Sequence, residues 1–303
     1  MHPTADLTDP PATGPSTGPA TGPAADAPTA AWPGAAPTIP DTSLVGREAD
    51  LATIHELVLH PDHGFITLVG VGGVGKSRLA AEVAMRSLPE HGGRIASVPL
   101  DAVSDSSMVL PAIAGALGVA DEPGRPLAEA LAEALGDRPA LLVLDTMEHL
   151  RAAAPALADL RARTSGLTIL ATSRVALGVP REKVVWVEPL AVPTELVPEA
   201  EQLLASPAAS LFLERARVVR PDVEVNPANA ALIADICRRL DGIPLAIELA
   251  AAALRVLAPH QLLDQLSERL AAEELDPAPG AAGPERQRNL RAAMDWSIGL
   301  LGP

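Results

Sequence analysis

Phe65-Ile66-Thr67-Leu68-Val69 runs directly into Gly70-Val71-Gly72-Gly73-Val74-Gly75-Lys76-Ser77, and Arg78 then opens a helical pattern. An apolar run, a glycine-rich turn closing on Gly-Lys-Ser and a helix together match G-x-x-x-x-G-K-[ST] in the context that this phosphate-binding loop requires. Glycines are needed because successive backbone N–H groups must turn inward around a β-phosphate, while the helix N-terminus adds its positive dipole end. Gly70, Gly72, Gly73, Val74, Gly75, Lys76, Ser77 and Arg78 are therefore the expected nucleotide-binding residues. Lys76 would neutralise the β- and γ-phosphates, and the Ser77 hydroxyl would ligate magnesium. A glycine-rich turn that binds nothing is the bland alternative. Lysine occurs only at positions 76 and 183, which makes its placement here informative.

Outward from the loop, short apolar runs alternate with longer helical stretches, the pattern of a parallel α/β sheet. Strands are expected at Phe65–Val69, Arg94–Leu100, Ala140–Leu144, Leu167–Ala171 and Val184–Val187. Helices are expected at Glu48–Leu59, Lys76–Ser87, Met108–Leu117, Leu127–Leu135 and His149–Arg163. After about Ala191 the strand signals stop. Ser206-Pro207 and Asn226-Pro227 are helix starts, Asp241-Gly242-Ile243-Pro244 breaks a helix from Ala228 to Leu240, and further helices are expected at Leu245–Leu257 and Leu262–Leu270. The fold class is α/β, a P-loop NTPase sheet of the additional-strand type, followed by a small helical domain. The domains read as a Pro/Ala/Thr/Gly-rich tail (1–40), a nucleotide-binding domain (41–195), a helical domain (196–275), a linker (276–284) and a truncated start of a winged-helix-like segment (285–303).

Leu141-Leu142-Val143-Leu144-Asp145 is an apolar strand ending in a carboxylate, the arrangement that holds magnesium through an ordered water. Vigorous ATPases of this type carry a glutamate immediately after that aspartate to polarise the attacking water. Here that position is Thr146, so slow hydrolysis is expected. Glu148 could substitute if its loop turns inward; a solvated helix-start glutamate is the other reading. Arg174, which follows Ala171-Thr172-Ser173, would sit beside the γ-phosphate if its strand lies between the phosphate-loop strand and the Asp145 strand. Lys76, Asp145, Glu148 and Arg174 are thus the catalytic candidates, and Ser77 and Asp145 the magnesium pair. His149 reads as a helix-face or packing residue and not as a metal ligand, because no second His or Cys lies at ligand spacing.

Composition narrows the classes further. Of 303 residues 48% are hydrophobic, which supplies a sizeable core, and a net charge of −15 excludes a chain-wide basic surface for nucleic acid. The single cysteine rules out an intrachain disulfide, the first residues lack a leader pattern, and the most apolar stretch, Ile243 to Ala258, is interrupted by Glu248 and Arg255. A cytoplasmic protein without membrane contact is expected.

These residues together resemble the STAND class of signalling NTPases, specifically the NB-ARC-like ATPase of bacterial transcriptional regulators of the SARP and LuxR-like types. The resemblance spans Leu44 to Leu301. It is carried by Leu44-Val45-Gly46-Arg47-Glu48, the phosphate loop, Leu144-Asp145-Thr146-Met147-Glu148-His149, Ala171-Thr172-Ser173-Arg174, Asp241-Gly242-Ile243-Pro244-Leu245-Ala246-Ile247-Glu248-Leu249-Ala250, and Asn289-Leu290-Arg291-Ala292-Ala293-Met294-Asp295-Trp296-Ser297. It implies that Val45 and Arg47 contact the base and ribose, that Pro244 closes over the adenine, and that the cofactors are ATP or ADP with Mg2+. It further implies a closed ADP state that opens and assembles on exchange for ATP, hence self-association or a regulatory protein partner. DNA reading would lie outside this segment. The family usually has Asn at the position of Thr146, and the sequence ends at Pro303, ahead of the body of the winged helix. Motor-type turnover and a non-hydrolysing nucleotide-binding scaffold are the competing readings.

Overall fold

The computed structural model describes Trp32 and residues 34–275. Its strands are β1 (Phe65–Val69), β2 (Ile95–Pro99), β3 (Ala140–Asp145), β4 (Leu167–Ser173) and β5 (Lys183–Trp186), in one sheet of order β2-β3-β4-β1-β5. All four pairings are parallel, with Thr67 opposite Ala171 and Leu144 also opposite Ala171 from the other side. β1 and β3 are apolar almost without interruption, and β4 is buried along nearly its whole length, because both faces are covered. Alternate residues therefore go to opposite cores. Leu142 and Leu144 join Ile169 and Ala171 beneath α3 (Val109–Ala116), α4 (Leu127–Leu135) and α5 (Ala154–Arg163). Leu141, Val143, Ile66 and Leu68 pack against α1 (Glu48–Leu59) and α2 (Lys76–Arg86).

A helical layer follows: α6 (Ala200–Ala205), α7 (Pro207–Val219), α8 (Pro227–Arg239), α9 (Pro244–Ala253) and α10 (Pro259–Leu275). Its core is separate, built on Phe212, Ile233, Ile236, Leu240 and Ile247. Proline opens α7 and α9 at the first turn, where a missing N–H costs nothing. Among the contacts that lock this layer onto the loops of the sheet domain are two at glycines. Gly242 has φ +66, and a Cβ there would lie 2.0 Å from the Leu190 carbonyl oxygen; its own carbonyl accepts from the Leu190 amide at 2.9 Å. Gly46, φ +67, leaves room for Pro207, whose Cβ would otherwise be 2.4 Å from a side chain at 46.

The structure differs from the sequence expectations at several points. The helix expected from His149 begins at Ala154, after a short 3-10 turn at Arg151–Ala153, because Pro155 belongs in a first turn. α6 has no counterpart in the sequence reading, α9 stops at Ala253 short of Leu257, and α10 extends beyond Leu262–Leu270 at both ends. β4 continues two residues past Ala171, since Thr172 and Ser173 are polar but fully buried. The segment from Trp32, grouped with the tail on composition, lies along β2. The Trp32 indole N–H donates to the Ile95 carbonyl at 3.1 Å, the Ser97 amide donates to the Ala35 carbonyl at 2.9 Å, and the Arg94 guanidinium stands 4.5 Å over the Trp32 ring. The expected linker at 276–284 and the winged-helix-like segment at 285–303 lie outside the described residues.

Candidate functional site

The loop joining β1 to α2 places the phosphate-binding residues at the carboxyl end of the sheet. Gly73 (φ +73) and Gly75 (φ +100) take left-handed backbone angles that the inward-turned amides demand. Gly75 has open space where a Cβ would be, so its requirement is conformational; Gly70 is steric, with a Cβ landing 2.6 Å from the Val187 carbonyl oxygen. Lys76 Nζ donates to the carbonyls of Gly70 and Val71, each at 2.9 Å, and lies folded back over the loop. Burial holds the Lys76 pKa below the ordinary lysine value; Glu148 opposes that shift, Arg174 adds to it and Asp145 opposes it. Those causes bring three separate segments to one ammonium.

The expected strand order is observed, with β4 between β1 and β3. It sets the ends of β3 and β4 beside α2. Ser77 Oγ donates to Asp145 Oδ1 at 2.6 Å, and the Thr172 hydroxyl bonds the same carboxylate oxygen. A hydroxyl and a carboxylate converging at the end of the phosphate loop form a hard-oxygen donor pair of the kind Mg2+ takes, so the residues present fit that ion. Thr146 has φ +71, a strained angle for a β-branched residue, held by its amide donating to Thr172 Oγ1 at 2.9 Å. That turn sends Glu148 inward, where Arg174 Nε reaches its Oε1 at 3.0 Å; their side chains are 24% and 56% exposed. The loop thus takes the inward option that the sequence left open. His149 sits in the same turn, off any helix and exposed rather than packed, with Nε2 at hydrogen-bond distance, 2.6 Å, from the Val103 carbonyl oxygen.

A cleft of about 290 Å3 opens between the phosphate loop and the helical layer, near the lower end of the range for small-molecule sites, roughly 300–1000 Å3. Val45, Arg47, Gly73, Val74, Gly75, Lys76, Ser77, Arg78 and Pro244 all line it. Arg47 is buried, with one guanidinium nitrogen on the Val74 carbonyl at 3.0 Å and another on Asp50 at 2.8 Å, so it braces the loop from behind. Arg78 is bonded to the side chain and carbonyl of Thr42. The Leu245 amide, at the start of α9, donates to the Gly73 carbonyl at 3.2 Å and joins the helical layer to the phosphate loop itself. Sequence reasoning did not find Leu190, Leu211, Arg215, Leu245 and Glu248 on the cleft wall. Arg215 is 12% exposed; it bonds Glu248 at 3.0 Å and the Ser43 carbonyl at 3.2 Å, holding the 43–47 segment to the helical layer.

Residues 60–177 match a family described as an AAA domain, and this span contains the phosphate loop, Asp145 and Arg174. This span has the P-loop NTPase fold. Likeness to other proteins extends beyond that span. A Mycobacterium tuberculosis protein provisionally named an HTH-type transcriptional regulator is 40% identical over 239 residues, 78% of this chain and 25% of that protein. An uncharacterized protein of the same organism is 38% identical over 266 residues, 86% of this chain and 63% of that one. The chain therefore spans about a quarter of the length of the regulator and less than two thirds of the other relative. Among solved structures, a Walker-type ATPase of Pyrococcus abyssi aligns with TM-score 0.49 and 16% identity over 86% of this chain and 85% of that one. A STAND protein with a tetratricopeptide repeat sensor from Pyrococcus horikoshii aligns with TM-score 0.44 and 14% identity over 88% and 41% of the two chains. No helix among the described residues is long and apolar enough to cross a membrane.

Proposed function

We propose that this chain is an ATP/ADP-binding regulatory switch module with slow, Mg2+-dependent hydrolysis, of the NB-ARC-like kind found in signalling and transcriptional regulators. One observation carries the reading: among the described residues, the only acidic side chain brought to Lys76 besides Asp145 is Glu148, and its carboxylate is engaged by Arg174. With Thr146 beside Asp145, no glutamate stands in the usual water-polarising position. Bound magnesium would supply charge neutralisation to the phosphates. Ser77 and Asp145 would hold it, Lys76 would leave the Gly70 and Val71 carbonyls for phosphate oxygens, and Arg174 would exchange Glu148 for the γ-phosphate.

The cleft lining supports the roles assigned to Val45 and Pro244 as the walls about the base, with Arg47 bracing the loop rather than free to reach a ligand. The Leu245–Gly73 bond and the Gly242–Leu190 contact fit a closed state in which the helical layer seals the nucleotide. Opening would break those contacts and expose a surface for self-association or for a regulatory protein. The regulator-type name of the Mycobacterium relative accords with such an output. Bound nucleotide after purification and steady-state turnover test the proposal: retained ADP with turnover well below one per second is expected, whereas several turnovers per second with no retained ADP would replace the switch by a motor-type ATPase.

A further inference from the structure

A second cavity, about 300 Å3, lies at the opposite end of the sheet from the phosphate loop. Its wall includes Gly64 and Phe65, where β1 begins, so it is separated from Gly70 by the length of that strand, roughly 16 Å at about 3.3 Å per residue. Ala158, Ala162 and Pro180 make the rest of the wall apolar, and Arg161 and Arg181 bring two guanidinium groups to it. Neither arginine has a carboxylate partner among the described residues, although eight other arginines form such pairs. Asp62 also lines the cavity and pairs with neither.

The local backbone is built to present these groups. Arg161 lies flat against Gly64: a Cβ at 64 would stand 1.9 Å from its Nε. One terminal nitrogen donates to the Thr164 carbonyl at the end of α5 at 2.9 Å, while the buried Nε–H has no acceptor. Arg181 holds φ +62, a left-handed angle that a non-glycine residue keeps only when its surroundings impose it. Burial lowers the Arg161 pKa and the charge of Arg181 lowers it further, so the two cations are close and mutually unfavourable. In a chain of net charge −15, an uncompensated cationic pair against an apolar wall is a local reversal of sign. Two adjacent guanidinium groups match the paired oxygens of a carboxylate or phosphoryl group.

We infer that this cavity is a second ligand site, distinct from the nucleotide cleft, for a small organic anion whose carboxylate or phosphoryl head lies between Arg161 and Arg181 and whose apolar body lies on Phe65, Ala158 and Pro180. The site does not depend on the switch reading, because it shares no residue with the phosphate loop.

Calorimetric titration of the full chain with benzoate, as head plus body, and with inorganic phosphate, as head alone, tests it. Saturable binding of benzoate is expected, with phosphate weaker. Arg181→Gln should weaken benzoate at least tenfold; this exposed residue is not part of the core, and unchanged ADP binding in the same variant would show that the fold is intact. Arg161→Gln should do the same, and Arg86→Gln on the exposed end of α2 should leave benzoate binding unchanged. Phosphate bound more tightly than benzoate, with the same arginine dependence, would assign the site to phosphoryl ligands without an apolar body and overturn the part of the inference that concerns the wall. Absence of saturable binding by either probe, or equal binding by both cavity variants and the wild type, would overturn the site.

Discussion

Arg174 Nε donates to Glu148 Oε1 at 3.0 Å, so the residue just after β4 and a residue in the turn after β3 neutralise each other beside Lys76. A half-exposed ion pair of this kind contributes about 0.2–1 kcal/mol, whereas a charge-assisted contact to phosphate contributes about 1.5–3 kcal/mol. The γ-phosphate should therefore displace Glu148 from Arg174, and the pairing becomes a readout of which nucleotide is bound. Arg174→Ala should weaken ATP by roughly ten- to a hundredfold and leave ADP nearly unchanged. Isothermal titration with both nucleotides checks this, and an equal loss for the two would make Arg174 structural.

Glu148→Gln separates binding from chemistry. Releasing Arg174 should leave ATP affinity equal or slightly higher, while loss of the carboxylate that could orient water should lower turnover about a hundredfold. Single-turnover hydrolysis at saturating ATP is the measurement. Unchanged turnover would leave Glu148 as a partner of Arg174 and nothing more.

Lys76→Ala should weaken ATP and ADP alike, since its ammonium serves the β-phosphate as well as the γ-phosphate. The variant also loses the two part-buried bonds to the Gly70 and Val71 carbonyls, so thermal stability without nucleotide should change little. A variant that discriminated between the nucleotides would contradict the assignment.

Thr146 holds φ +71 at a cost of about 1–3 kcal/mol for a β-branched side chain. Asn tolerates that region better, and its amide would still donate to Thr172. Thr146→Asn should therefore stabilise the protein by about 1 kcal/mol, a rise of roughly 2–4 °C in Tm. A fall in Tm would show that the threonine methyl contributes packing that outweighs the strain.

Cys237 is fully buried on α8, and burial pushes its thiol up to about 12 from an ordinary 9.0. Between those values the unfolded thiol has lost its proton and the folded one has not, so stability falls as pH rises from about 9 toward 12, by up to about 1.4 kcal/mol per pH unit. Cys237→Ala should flatten that slope in urea titrations, and a thiol reagent at pH 8 should label the native protein only as fast as it opens.

The elements legible in the sequence are those whose signal is local. Phe65–Val69, Glu48–Leu59 and Leu127–Leu135 fall where periodicity places them, and the phosphate loop needs only eight consecutive residues. The β3–α5 connection was harder to read, although Pro155 marks the true helix start, because the apolar period runs through the turn. α6 is six residues long, too short for a period to register. The cleft walls were hidden for a different reason. Leu211, Arg215 and Glu248 lie more than a hundred residues from the loop they face, and each reads in isolation as an ordinary helix residue. Only the docking of α9 on Gly73 makes them neighbours of a ligand. Glu148 was undecidable because its direction depends on the angle at Thr146, which composition does not encode.

The Ala35–Ser97 main-chain bond and the Trp32 anchor bear on how copies of this chain could meet. An open parallel sheet offers two lateral borders, each a row of unpaired amides and carbonyls that invites a foreign strand. One border, β2, has its own upstream segment laid against it. The other, β5, is four residues long and begins with Lys183, one of the chain's two lysines, which discourages strand addition. Among the described residues, contacts between copies are then left to helix faces and loops, away from the sheet and from the phosphate loop that hangs from its middle.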